Sequence, residues 1–367
     1  MTRSLEDLAS PYLRGLIPYS PGKPIDEVER ELGIRDSVKL ASNENPLGPS
    51  PLALAALREA LPEVHRYPDG SGYRLSQALA RHWNVSADMV ILGNGSNELL
   101  ELMGRCFLMP GDEAVYARQA FIVYDMVAQV TGATKVAVPL RDLTHDLAAM
   151  RAAITPQTKL VFLANPNNPT GTAVPPRSVE DFIAGASPEV LIVVDEAYYE
   201  YLSPDRAPDL VQFVRAGRPI LVVRTFSKIY GLAGLRIGYG IGPAPLIALL
   251  NRVREPFNTN SLAQAAATAA LGDRQHVEST RRITETGRKY VTEQCRSLGL
   301  SVVPSVANFL LVDVGRPGGA TADALLRQGV IVRPMAGYGF PTHLRISIGT
   351  PPENERCIAA LRAVVGK

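Results

Sequence analysis

Between about residues 52 and 255, short apolar runs rich in β-branched residues alternate with helical stretches, and this repetition limits the fold more than any other feature. The runs are Met89–Leu92, Glu113–Tyr116, Lys135–Val138, Leu160–Ala164, Val190–Val194, Ile220–Val223 and Ile237–Ile241. Helical patterns such as Glu98–Phe107 and Phe121–Thr131 separate most of them. A strand that is apolar on nearly every residue has no face for water. It belongs in a sheet covered on both sides, and strands joined through helices run mostly parallel. The pattern predicts an α/β fold whose large domain, residues 51–256, holds a mostly parallel sheet under helices.

The flanking segments differ. Residues 1–50 are rich in Pro and Gly, with one expected helix over Ile25–Leu32, and read as an arm that must lie on the body or on a partner subunit. Residues 257–367 predict a smaller α+β domain. It opens on an Ala-rich helix, Ser261–Leu271, and a charged one, Asp273–Leu298; strands follow near Ser301–Val303, Phe309–Val312 and Leu344–Ile348, with helices at Ala320–Gln328 and Pro352–Val365. A chain of 367 residues suits two subdomains better than one core.

Composition removes several classes of function. A net charge of +2 and the lack of any long Lys/Arg run argue against nucleic acid as a partner. No apolar run reaches the ~20 residues of a membrane span, and the first twenty residues hold no leader-like apolar stretch. Cys106, Cys295 and Cys357 are far apart and form no Cys-x-x-Cys pair, as expected of reduced thiols in a cytoplasmic protein.

In an open α/β sheet, ligands sit at the carboxyl ends of the strands, so the residues just after each run are the informative ones. Gly93-Asn94-Gly95-Ser96-Asn97-Glu98 follows the first run and opens a helix, where free amide hydrogens and the helix dipole favour a phosphate. Glu98 stands where a dinucleotide fingerprint needs its third glycine, which leaves a phosphate cup or a plain tight turn. Asn165-Pro166-Asn167-Asn168-Pro169-Thr170-Gly171 is strong turn chemistry, or else an amide donor aimed at a phenolate or carboxylate. Asp195 ends a buried run, and a carboxylate there needs a cation or a donor to meet it. Thr225-Phe226-Ser227-Lys228 follows the next run, and Lys228 is one of only seven lysines. A lysine that forms a Schiff base must shed its proton, so partial burial near other cations suits it, and Arg236 supplies a cation for a phosphate. Each element alone has a bland explanation; in this order they supply the contacts that pyridoxal phosphate needs.

The same residues resemble the pyridoxal-phosphate-dependent aminotransferases. The resemblance extends to Pro18–Pro24, Leu40–Gly48, Tyr67-Pro68-Asp69-Gly70, Asp195-Glu196-Ala197-Tyr198, Thr225–Gly238, Val332-Arg333-Pro334-Met335 and Leu344-Arg345-Ile346, which look like the histidinol-phosphate aminotransferase family. It implies an aspartate-aminotransferase-like fold of type I, pyridoxal 5'-phosphate as cofactor and no metal. It also implies a homodimer with shared active sites, acting on histidinol phosphate and glutamate or 2-oxoglutarate. Under it, Lys228 holds the cofactor covalently and then moves the proton between Cα and the cofactor carbon. Asp195 pairs with the pyridine nitrogen, Asn168 and Tyr198 bind the phenolic oxygen, and Phe121 stacks on the ring, where the family often has Tyr. Gly95, Ser96, Asn97, Thr225, Ser227 and Arg236 hold the phosphate, and Tyr67 reaches the phosphate of the neighbouring subunit. Arg345 binds the glutamate carboxylate or the substrate phosphate, and Tyr19 and Arg333 line the substrate pocket. The resemblance also suggests a cis Asn168–Pro169 bond. Threonine-phosphate decarboxylases share the cofactor core but are less similar in the arm, and no residue excludes a paralogue that takes aromatic amino acids.

Overall fold

The computed structural model describes residues 5–18 and 22–366. A two-residue strand in the arm, β1 (Val38–Lys39), precedes seven strands that join in one sheet. These are β2 (Val90–Gly93), β3 (Glu113–Ala117), β4 (Thr134–Val138), β5 (Thr158–Ala164), β6 (Leu191–Asp195), β7 (Ile220–Thr225) and β8 (Gly238–Ile241). Their order across the sheet is β2-β8-β7-β6-β5-β3-β4. β8 runs antiparallel to both its neighbours, β2 and β7, and the other adjacent pairs are parallel. All seven correspond to the apolar runs of the sequence.

Burial on both faces explains why those runs are continuous. Along β5, Val161 and Leu163 enter one core while Leu160, Phe162 and Ala164 enter the other. Helices on each side complete the two cores, including Gly95–Phe107, which buries Leu99, Leu100 and Met103 against one face. Because β5, β6 and β7 run parallel, their carboxyl ends share one edge. That edge receives Asn165 to Asn168, Asp195 and Thr225 to Lys228 together.

The smaller unit contains β9 (Ser301–Val302), β10 (Phe309–Asp313), β11 (Val330–Ile331), β12 (Arg333–Pro334) and β13 (His343–Ser347). Four of them form an antiparallel sheet in the order β12-β13-β10-β9. Its core joins Leu310, Val312, Leu344 and Ile346 to Val291 and Cys295 of the helix Arg274–Ser297 and to Cys357 and Leu361 of the helix Pro351–Val365. The arm enters this unit too. β1 pairs in parallel with β11, Val38 opposite Val330, and Leu40 lies in the same core.

One helix sits where its place in the sequence does not suggest. The composition shift near residue 257 puts Ser261–Gly272 in the smaller domain, yet it packs on the helices Pro51–Ala60 and Tyr73–Trp83. Ala263, Ala266, Ala267 and Ala270 join the core on one face of the large sheet. Small side chains on one stripe let helices approach closely, so this helix goes with the large body and a division at Asp273 follows the packing better than one at 256. No helix among the described residues is long and apolar enough to cross a membrane.

Candidate active site

The carboxyl edge of the large sheet, the arm and β13 enclose a cleft of about 1110 Å³. Ser96, Asn97, Thr225, Ser227 and Arg236 line one part of it; Phe121, Asn168, Asp195, Tyr198, Lys228 and Arg345 line the rest.

Local sequence builds the first part as an anion cup. Gly95 takes a positive φ of 72° at the start of its helix, a conformation that glycine adopts without strain. Its missing side chain matters too, because a Cβ there would collide with the Arg236 guanidinium. The first amide hydrogens of a helix have no intrahelical acceptors and stay available to an anion. Glu98 caps this turn, because its Oε2 accepts the Asn94 amide hydrogen at 2.6 Å and the Asn258 Nδ2 at 2.7 Å. That capping role explains a glutamate where a dinucleotide fingerprint would have glycine. Thr225 Oγ1 accepts from the Ser227 amide at 3.1 Å, which shapes the turn before Lys228.

The other part holds opposed charges. Asp195 is only 6 % exposed, and burial pushes its carboxyl above the usual range. Its Oδ1 accepts from the Ala197 amide at 3.1 Å and its Oδ2 from the Tyr124 hydroxyl at 2.8 Å. Lys228 Nζ donates to the Ser42 carbonyl at 3.3 Å. Burial, followed by the nearby Arg345 and Arg236 guanidinium groups, pushes the lysine down to about 8, against the pull of Glu44 and Asp195. An amine of that basicity gives up its proton far more readily than a surface lysine. Tyr198 is buried and pushed up to about 12, so it stays protonated, and its hydroxyl accepts from Asn43 Nδ2 at 2.8 Å.

Arg345 lies on β13, where Nη1 donates to Asn168 Oδ1 at 2.6 Å and Nη2 to the Ala41 carbonyl at 2.7 Å. Arg333 stands opposite it in register, so two guanidinium groups start from neighbouring positions of one small sheet, although Arg333 is not among the residues lining the cleft. Asn165–Pro166 and Asn168–Pro169 are both cis. Tyr67 does not line this cleft. Its side chain stacks on Phe257 at 4.8 Å and is 84 % exposed. Tyr19 lies outside the described residues.

Among the lining residues with no role legible in the sequence are Asn43, Glu44 and Tyr124. The polar run Ser42-Asn43-Glu44-Asn45 inside an apolar and Pro-rich stretch is the available signal for the first two. Tyr124 carries none, since an aromatic on a short amphipathic helix reads as core.

The donor set fits pyridoxal phosphate. An anion cup, a buried carboxylate, a lysine of lowered basicity and an aromatic ring at Phe121 share one cleft of ample volume. Among the described residues no cluster of His, Cys, Asp and Glu could hold a metal ion.

The family model for aminotransferases of class I and II matches residues 35–361. A histidinol-phosphate aminotransferase of Pseudomonas fluorescens is 51 % identical over 362 residues, 98 % of each chain. One of Moorella thermoacetica is 51 % identical over 95 % of this chain and 90 % of its own. Among solved structures, the histidinol-phosphate aminotransferase of Sinorhizobium meliloti in complex with pyridoxal-5'-phosphate superposes with a TM-score of 0.90 at 30 % identity, covering 98 % of this chain and 97 % of that one. An aspartate aminotransferase variant of Thermus thermophilus gives 0.85 at 26 % identity, covering 98 % and 99 %.

Proposed function

The chain belongs to the class I and II aminotransferases, and from that premise we propose that it exchanges an amino group between L-histidinol phosphate and 2-oxoglutarate, a step of histidine biosynthesis, with pyridoxal 5'-phosphate as cofactor. The observation that carries the substrate is identity of about half the residues, over nearly the whole length, to relatives with that activity in their names. The Arg345–Arg333 pairing supports it, because a phosphate dianion gains more from two guanidinium groups than a carboxylate does.

When bound, the cofactor supplies an electron-withdrawing ring that makes the substrate Cα–H acidic and carries the amino group between the two substrates. The protein's own residues do the rest. The amides at Gly95, Ser96 and Asn97, the hydroxyls of Thr225 and Ser227, and Arg236 bind the phosphate. Phe121, which lines the cleft, would stack against the ring. Asp195, its carboxylate already held by two donors, would pair with the ring nitrogen. Asn168 and Tyr198 address the phenolic oxygen. Lys228 would hold the cofactor and, as an amine of lowered basicity, could take the substrate Cα proton and return it. Arg345 binds the substrate anion, whether phosphate or carboxylate, with Arg333 opposite it in register on the small sheet.

Rates on the two candidate substrate types test this reading. With 2-oxoglutarate as acceptor, kcat/KM for histidinol phosphate should exceed that for phenylalanine by at least about tenfold, the worth of one further charged hydrogen bond. A preference for phenylalanine would make the enzyme an aromatic-amino-acid aminotransferase. Carbon dioxide release from threonine phosphate would make it a lyase.

We further propose a homodimer with shared sites, acting in the cytoplasm. The cysteines are free, which suits a reducing compartment. Exposed Leu61, Val64, Tyr67, Tyr73 and Phe257 supply apolar surface on and around the Tyr67–Gly70 turn, which suits a partner subunit. In such a dimer the Tyr67 hydroxyl serves the partner's phosphate. Mixing inactive Lys228→Ala with inactive Tyr67→Asp under subunit exchange puts both defects in one site and none in the other. Activity should return to about a quarter of wild type, since half the dimers are mixed and each has one intact site. No recovery despite proven exchange would return Tyr67 to its own subunit.

A further inference from the structure

Tyr124 is fully buried on the short helix Val123–Val130, and two rings fix its position. It stacks on Phe162 with centroids 5.0 Å apart and planes 8° from parallel, and it meets Phe121 edge-on at 6.0 Å. Its hydroxyl therefore reaches one place, Asp195 Oδ2, at 2.8 Å. Burial and the facing carboxylate raise the phenol far above its ordinary value, so it is a permanent donor. The titratable and charged groups that face the pair are Lys228 across the cleft, Tyr198, Tyr338 of the smaller unit, and the adjacent Glu196. Among these, Tyr124 is the side chain that hydrogen-bonds the Asp195 carboxylate.

We propose that Tyr124 is a positioning residue for the amino transfer: its hydroxyl holds Asp195 ionised and oriented, so that the carboxylate keeps the proton on the cofactor's ring nitrogen instead of taking it. A buried carboxylate tends to bind a proton. Without a donor on Oδ2, the proton shared with the ring nitrogen moves toward Asp195, both charges vanish, and the ring withdraws electrons less strongly. The hydrogen bond from Tyr124 stabilises the charged arrangement, because it is stronger to a carboxylate than to a neutral acid. The inference rests on the reading of the cleft as a pyridoxal phosphate site.

The test is Tyr124→Phe, which deletes one oxygen and leaves both ring contacts. The readout is the visible absorbance of the lysine-linked cofactor as a function of pH, measured with pyridoxal phosphate and with its 1-deaza analogue, in which carbon replaces the ring nitrogen. A less electron-poor ring makes the nitrogen conjugated to it more basic, so with pyridoxal phosphate the midpoint should rise by about one pH unit, the size expected for loss of one charged hydrogen bond. With the analogue, the two proteins should titrate alike. An unchanged midpoint with pyridoxal phosphate overturns the proposal, as does an equal shift with both cofactors, which would mark a packing effect. Loss of fold in the variant, seen as a collapsed thermal transition of the apo chain, would make the hydroxyl structural and overturn it too. A wild-type protein with no pH-dependent band dependent on Lys228 would instead sink the reading of the cleft itself.

Discussion

Lys228→Ala is expected to lose the visible absorbance that borohydride abolishes in the wild-type protein, and to transaminate at least about 10²–10⁴-fold more slowly, the range typical of a lost general base. The wild-type amine sits at the meeting point of three strand ends, with Arg345 and Arg236 helping burial to push it down to about 8. No neighbour can replace it. Lys39 of the arm is paired with Glu44 at 2.9 Å, and a guanidinium is too weak a base to stand in for an amine. Single-turnover absorbance changes with histidinol phosphate separate loss of the proton shuttle from loss of binding. Turnover at the wild-type rate would remove Lys228 from the mechanism.

Asp195→Asn should retain cofactor but lose about 10²–10³-fold in kcat, the scale of one preorganised electrostatic contact. The amide is almost isosteric: its oxygen can still accept from the Ala197 amide while its NH2 donates to the Tyr124 oxygen, reversing that bond, but a neutral group cannot balance a ring cation. The apo chain gives an independent check. Burial raises the Asp195 carboxyl, so its charged form opposes folding above the unfolded carboxylate range, and stability grows as the pH falls through that group's titration. The asparagine chain should therefore melt no lower than wild type at neutral pH and should lack that part of the pH dependence. Near-normal turnover would count against the role given to Asp195.

The large sheet is legible in the sequence because its central strands β5, β6 and β7 are apolar on both faces, a pattern that helices of this length rarely show. The strand ends then mark the site, since Asp195 and Lys228 are polar interruptions that a buried edge tolerates only with partners. The shortest elements are hidden. β1, β11 and β12 have two residues each, too few for any periodicity, and what aligns them is a tertiary fit between the arm and the smaller unit. Ser261–Gly272 misleads because an Ala stripe suits any close helix pair and names no partner. Tyr124 shows the deepest limit. Its hydroxyl meets a residue 71 positions away, and tertiary ring contacts with Phe162 and Phe121 set where it points. Tyr67 lies outside the cleft of its own chain, stacked on Phe257, a contact that no local sequence pattern announces.

Asn43 belongs to the arm and is riveted to the smaller unit. Its amide hydrogen bonds Ser347 Oγ at 2.8 Å, and Asn308 Nδ2 donates to its carbonyl at 3.0 Å. Its side chain crosses the seam to Tyr198. The segment around Asn43 is therefore not part of a tail that can be trimmed at leisure. A chain beginning at residue 51 would lack the Ser42–Glu44 wall of the cleft, the carbonyl that receives Lys228, and the staple between the two bodies. Anyone shortening, tagging or permuting this enzyme has to treat its beginning as part of its centre.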